Sequence, residues 1–117
     1  MDSAVFDSVT MNALSSALDG LALRQRTIAQ NVANVNTPNY HAKTVSFESA
    51  LAASVQAGDG TAVATTTTSD APTQQNGNNV SLDSETLNNI ETVLRYQFAT
   101  RAVNMDFSAT QSALKTA

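Results

Sequence analysis

The chain predicts an all-α fold: an elongated antiparallel two-helix coiled coil of N- and C-terminal helices. An extended or looped middle arm, with room for a short helix and a β-hairpin, joins them. Three observations predict this. Apolar residues recur at steps of three and four over residues 11–35 and again over residues 87–113, the spacing of one helical face. Between these stretches, residues 58–79 are poor in apolar side chains and rich in Gly, Thr, Gln and Asn, a composition that cannot order itself in isolation. A first helix of about 34 residues at 1.5 Å each is a rod of about 50 Å, long against a compact chain of this length with a radius of gyration near ~14 Å. The 117 residues therefore divide into a helix over 1–36, an arm over 37–79 and a helix over 80–117, together one domain.

The first helix opens at Asp2 and Ser3, which suit a helix start. Val5, Phe6 and Val9 lie in its first turns. Its apolar seam is Met11, Leu14, Leu18, Leu21, Ile28, Val32 and Val35, with Gln25 as a polar intrusion, a heptad-like pattern that asks for a partner helix. Gly20 interrupts it at a cost of about 1 kcal/mol relative to Ala, which predicts a bend. The stop is chemical. Asn34 and Asn36 tolerate left-handed backbone, and Pro38 biases Thr37 away from helix.

Residues 40–47 read as extended. Residues 47–57 then read as a short helix, with Ser46 as its N-cap, Phe47, Leu51 and Val55 on one stripe, and Gly58 at the C′ position. The arm beyond Gly58 is expected to need neighbours to hold it. Residues 76–79 (NGNN) signal a turn. The second helix starts with Ser81 as N-cap and Asp83 and Glu85 in its first turn. Its stripe is Leu87, Ile90, Leu94, Phe98, Ala102, Met105, Ala109 and Ala113. The predicted seam between the helices is thus Leu14, Leu18, Leu21, Ile28, Val32 and Val35 against Leu87, Ile90, Leu94, Phe98 and Met105.

Composition excludes several classes. Charged residues make up 14%, against roughly 25% in typical soluble domains, which suggests helices whose outer faces are covered by neighbours. A net charge of −4 gives no electrostatic case for nucleic acid, and no direct lipid binding is expected. There is no Cys, so disulfides and thiolate metal sites are ruled out. The opening segment has no basic start and no apolar run, and no stretch reaches the ~20 apolar residues of a membrane span. Export, if it occurs, is expected to use a route without a cleaved signal.

Little else suggests chemistry. His41 is the sole His, and a surface residue is the better reading than a ligand. Asp83 and Glu85 are better read as a helix start than as a carboxylate pair. The glycosylation triplet at residues 79–81 is common by chance. No catalytic, cofactor-binding or metal-ligating residue is assigned, and no cofactor is expected. Residues 31–40 stand apart. Asn31 and Asn34 lie within a helix, where Asn competes for backbone bonds. Their amides are expected to bond across to another chain or to the segment that follows.

This stretch closely resembles the N-terminal signature of the bacterial flagellar axial family of rod, hook and hook-associated proteins. The matching residues are Leu21, Arg24, Ile28, Ala29, Asn31, Val32, Ala33, Asn34, Thr37, Pro38 and Tyr40. Asn39 stands where the family has Gly; Asn is the next residue most tolerant of positive φ, so the turn is expected to be kept. Phe47 and Leu51, residues 76–80, Leu82, Glu85 and residues 94–97 resemble the family's short proximal-rod members, so the likeness covers almost the whole chain. It implies a subunit of the basal-body rod, a hollow drive shaft in the periplasmic space that transmits torque and conducts exported subunits. It implies export by the flagellar type III apparatus, and terminal helices that order on polymerising. The partners it implies are other copies of the chain, rod proteins of the FlgC, FlgF and FlgG types, a FliE-type adaptor at the rod base, the membrane ring and the export gate. The alternatives are a FlgC-type neighbouring rod protein and a standalone coiled-coil adaptor.

Overall fold

The computed structural model describes the backbone of residues 3–116 and the side chains of residues 8–105 and 111–115. Asp2 as a cap, the side chains of Val5 and Phe6, and that of Ala109 lie outside the described residues. The element order is α1 (Ser3–Ala33), β1 (Lys43–Ser46), α2 (Glu48–Gln56), β2 (Thr65–Thr68) and α3 (Leu82–Thr116). The molecule measures 66 × 26 × 14 Å, with a radius of gyration of 18.2 Å. It is therefore drawn out along its two long helices, as their length requires.

α1 is the element the others lean on: it packs against α3, β1 and α2. It runs antiparallel to α3, since Asn31 meets Glu85, while ten residues back along α1, Leu21 shares a core with Ala99. α1 leaves the helical path after Ala33, three residues before its expected end. Asn39 takes φ 61°, so Asn does fill the left-handed position where the family pattern has Gly.

β1 and β2 form a two-stranded antiparallel sheet, with Lys43 opposite Thr68 and Ser46 opposite Thr65. The arm's partners are thus supplied by its own chain. α2 lies between the strands and ends in a Schellman motif: Asp59 N–H donates to the Ser54 carbonyl at 3.0 Å and Gly58 N–H to that of Val55 at 3.0 Å. This geometry needs a residue with positive φ, and Gly58 has φ 86°. Ser46 does not cap the helix. The residue before its first turn is Phe47, and no side chain caps it, because the Phe47 ring is drawn into the core instead. Ser81 does cap α3, its Oγ accepting from Ser84 N–H at 3.3 Å.

The core is small: Leu21, Val45, Phe47 and Ala99, with Ala17, Leu18, Leu23, Leu51 and Ala64 around them. Gly20 lies inside α1 because the Phe47 ring sits on it. A Cβ there would stand 2.5 Å from a ring carbon, so close approach explains this glycine better than a bend. A second face of α1 carries Ser16, Gly20, Thr27 and Asn31, all buried. Ser16 pins the arm: its hydroxyl lies 3.4 Å from the Gly60 carbonyl and accepts from Ala62 N–H at 3.1 Å.

The residues of the predicted seam are of mixed burial on α1 and exposed on α3. Leu21 and Ile28 are buried, Leu14, Leu18 and Val35 are half-buried, and Val32 is exposed. On α3, Leu87, Ile90, Leu94, Phe98 and Met105 are all exposed, from 52% to 75%. Among the described residues of α3, those that are buried are Glu85, Thr92 and Ala99, spaced by seven. At about 100° per residue, the apolar stripe falls on nearly the opposite side. Small and polar side chains let α3 lie close against α1, and the bulky stripe is left outward.

Candidate functional site

Two features define the site: a buried polar hub where α1, β1 and α3 meet, and the apolar stripe on α3.

The hub is built on asparagine amides, which offer two donors and an acceptor from one short side chain. Asn31, on the last full turn of α1, is 1% exposed. Its Nδ2 donates to the Lys43 carbonyl at 2.8 Å and to Glu85 Oε1 at 3.0 Å. Its Oδ1 accepts from Lys43 N–H at 3.0 Å and from the Tyr40 hydroxyl at 3.3 Å. One side chain thus joins its own helix to β1 and α3. Asn78, 0% exposed, donates from Nδ2 to the carbonyls of Asn34 and Thr37, both at 2.8 Å. Its Oδ1 accepts from Val80 N–H at 2.8 Å. Asn79 accepts from Ala42 N–H at 2.6 Å and donates to the carbonyls of Ser69 and Ala71 at 3.1 Å. Its amide is fully used inside the chain, which disposes of the glycosylation triplet. Gly77 crosses Asn39 so closely that a Cβ would clash with that side chain.

The signature residues are thus brought together, with divided roles. Asn31 bonds the following segment, as expected. Asn34 bonds locally: its Nδ2 donates to the Gln30 carbonyl at 2.8 Å, and its Oδ1 accepts from the Thr37 hydroxyl at 3.0 Å. Tyr40 reaches Asn31, while Ala33 and Pro38 are exposed. In the sequence, residues 76–79 read as a turn and as part of the family resemblance, and not as a buried pair at Asn78 and Asn79. The adjacent pair Asn78 and Asn79, separated from the Ser81 cap by Val80, is the available signal for burial.

An ion cluster lies beside the hub. Arg24 on α1 grips Glu48 on α2 through two bonds of 2.7 Å, donates to the Val45 carbonyl at 2.8 Å and lies 4.9 Å over the Phe47 ring. Arg95 on α3 reaches the same carboxylate at 2.7 Å. The Arg24 hydrogen bonds pull the Glu48 carboxyl down to about 2. Glu85 behaves in the opposite way: burial pushes its carboxyl up, against the bond from Asn31. Its second oxygen, Oε2, is buried without a partner among the described residues.

His41 is exposed. Among the described residues no three His, Cys, Asp or Glu side chains converge to hold a metal, and no helix is long and apolar enough to cross a membrane. The arrangement is that of a structural protein: amides, an ion cluster and close packing fix two long helices, and a hydrophobic stripe is presented outward.

Comparison with known proteins agrees. The flagella basal body rod protein family matches over residues 11–41, the stretch that carries the Asn31 end of α1 and its turn. The flagellar basal body rod protein FlgB of Bacillus subtilis (strain 168) is 30% identical, over 92% of this chain and 94% of that protein. The FlgB of Borreliella burgdorferi is 53% identical over 34 residues, 29% of this chain and 25% of that one. The chain belongs to the FlgB family of flagellar basal body rod proteins, whose members are structural subunits of the rod.

Proposed function

We propose that the chain is a subunit of the proximal rod and that α3 carries its main contact with neighbouring subunits. The observation behind this is the stripe of Leu87, Ile90, Leu94, Phe98 and Met105, exposed along one side of α3. Apolar patches of this kind mark interaction surfaces. The spacing at steps of three and four fits knobs-into-holes packing with another helix, so the coiled coil forms between subunits rather than within one. On α1, Leu14 and Val35 are half-buried and Val32 is exposed, which leaves a second, smaller apolar contact on that helix. Assembly in this way builds a hollow shaft that carries torque and passes exported subunits. The neighbours are other copies, rod proteins of the FlgC, FlgF and FlgG types, the FliE-type adaptor, the membrane ring and the export gate. The rod lies in the periplasmic space, and the subunit performs no reaction.

Phe98→Asp tests the reading. The charge lies outside the chain's own core, so the subunit is expected to fold and be exported, yet to be missing from isolated basal bodies, with motility lost. Basal bodies that contain the variant at normal levels would refute the assignment of this face.

A further inference from the structure

We infer that the junction of α1 and α3 is a proton-responsive latch, in which Glu85 sets how firmly the first turns of α3 close on α1. The geometry carries this. Glu85 is 5% exposed and stands in the first turns of α3. One oxygen takes its bond from Asn31, and the other is buried with no partner among the described residues. Buried carboxylates are normally paired with a cation or given several donors; this one has a single neutral amide.

The groups around it do not supply the missing charge. From α1, Arg24 is committed to Glu48 and to the Val45 carbonyl. From β1, Lys43 meets Asn31 through its backbone, and its side chain forms no ion pair with Glu85. From α2 comes Glu48, an acid already held by Arg24 and Arg95. On α3 itself, Arg95 is spent on Glu48, while Asp83 and Glu91 are exposed and of like charge. When ionised, Glu85 therefore holds a charge away from water with little to compensate it. When a proton binds Oε2, the group is neutral and Oε1 still accepts from Asn31.

The sign follows. The carboxyl is raised in the folded chain from the ordinary 4.5. The stabilisation is complete below 4.5 and is lost as pH rises through the folded-state value. Above that, every closed junction holds an uncompensated carboxylate, and the hub that Asn31 organises is loosened at its α3 side. The junction closes more firmly in mildly acidic surroundings than at neutral pH.

The test uses the full chain. Carbon-detected NMR titration follows the side-chain carboxyls of Asp83, Glu85 and Glu91 together with the side-chain amide of Asn31. Glu85 is expected to titrate above the ordinary 4.5, and the Asn31 amide to shift with the same midpoint. The melting temperature is expected to rise from pH 7.5 to pH 5. That rise should vanish in Glu85→Gln and persist in Asp83→Asn. A Glu85 midpoint at or below the ordinary 4.5, or an Asn31 amide blind to it, would overturn the latch. So would an undiminished response in Glu85→Gln. If that variant does not fold, the titration of the natural chain decides alone.

Discussion

At the scale of single residues, the chain separates amides that order the fold from amides that finish a helix. Asn31 serves four groups at once, and truncating it strands Lys43 N–H and the Lys43 carbonyl in a partly buried site. Leaving buried polar groups unmet costs about 1–3 kcal/mol each, less where water enters. Asn31→Ala is therefore expected to destabilise by about 3 kcal/mol, read as a lower urea midpoint. Asn34→Leu is expected to cost under about 1 kcal/mol, because it gives up only a bond to Gln30 and one to Thr37. Equal losses in the two would undo this division. Gly20→Ala is a further case. Helix propensity alone favours Ala by about 1 kcal/mol, but the Phe47 ring stands 2.5 Å from the new methyl, so a net loss of about 2 kcal/mol is expected from overpacking. Phe47→Leu in the same chain should recover part of it, a coupling that a double-mutant cycle measures. Sequence reasoning could see that Asn31 and Asn34 were out of place in a helix. It could not see which one faced inward, since that depends on where the arm returns.

At the scale of elements, the two long helices, the short helix at 48–56 and the Asn39 turn were legible because each has a local cause: periodicity, a Gly at C′, a residue tolerant of positive φ. The facing of α3 was not legible. Periodicity finds an apolar stripe, but not whether the stripe meets its own chain or another. The inward line of Glu85, Thr92 and Ala99 shows no hydrophobic signal at all. Nor did the stripe Ser16, Gly20, Thr27 and Asn31 on α1 stand out, since small and polar residues read as surface. The two kinds of face are expected to separate under the same insult. Ile28→Asp puts a charge into the buried side of α1 and should cost several kcal/mol, beyond about 3, with helical signal lost at room temperature. Leu94→Asp, on the exposed stripe, should stay within about 0.5 kcal/mol of the natural chain and lose incorporation into basal bodies. Circular dichroism and recovery in purified basal bodies read the two effects separately. A large loss of stability in Leu94→Asp would mean that the stripe packs within the subunit after all.

At the scale of the whole molecule, an elongated chain with a small apolar core depends on a few polar junctions, and two of them respond to pH in opposite directions. Glu48 ties α1, α2 and α3 together through Arg24 and Arg95. Its carboxyl is held down to about 2 against an ordinary 4.5, chiefly by the Arg24 bonds, so its contribution is complete above 4.5 and is lost as pH falls towards 2. The cluster is partly exposed, so solvent screens it and added salt should shrink its effect. Glu85, raised from the same ordinary value, works the other way and weakens the fold as pH rises above 4.5. The two together place the most stable condition near 4.5, below the neutral range. Glu48→Gln should remove most of the fall on the acid side and leave the fall towards neutral pH in place. Melting temperatures at pH 2.5, 4.5 and 7.5 distinguish the outcomes: the natural chain should peak at the middle value, and the variant should lose its drop at the lowest. A natural chain that is most stable at pH 7.5 would mean that the fold is governed by neither carboxylate. The three helices would then be held by the Asn31 hub and the Phe47 core alone.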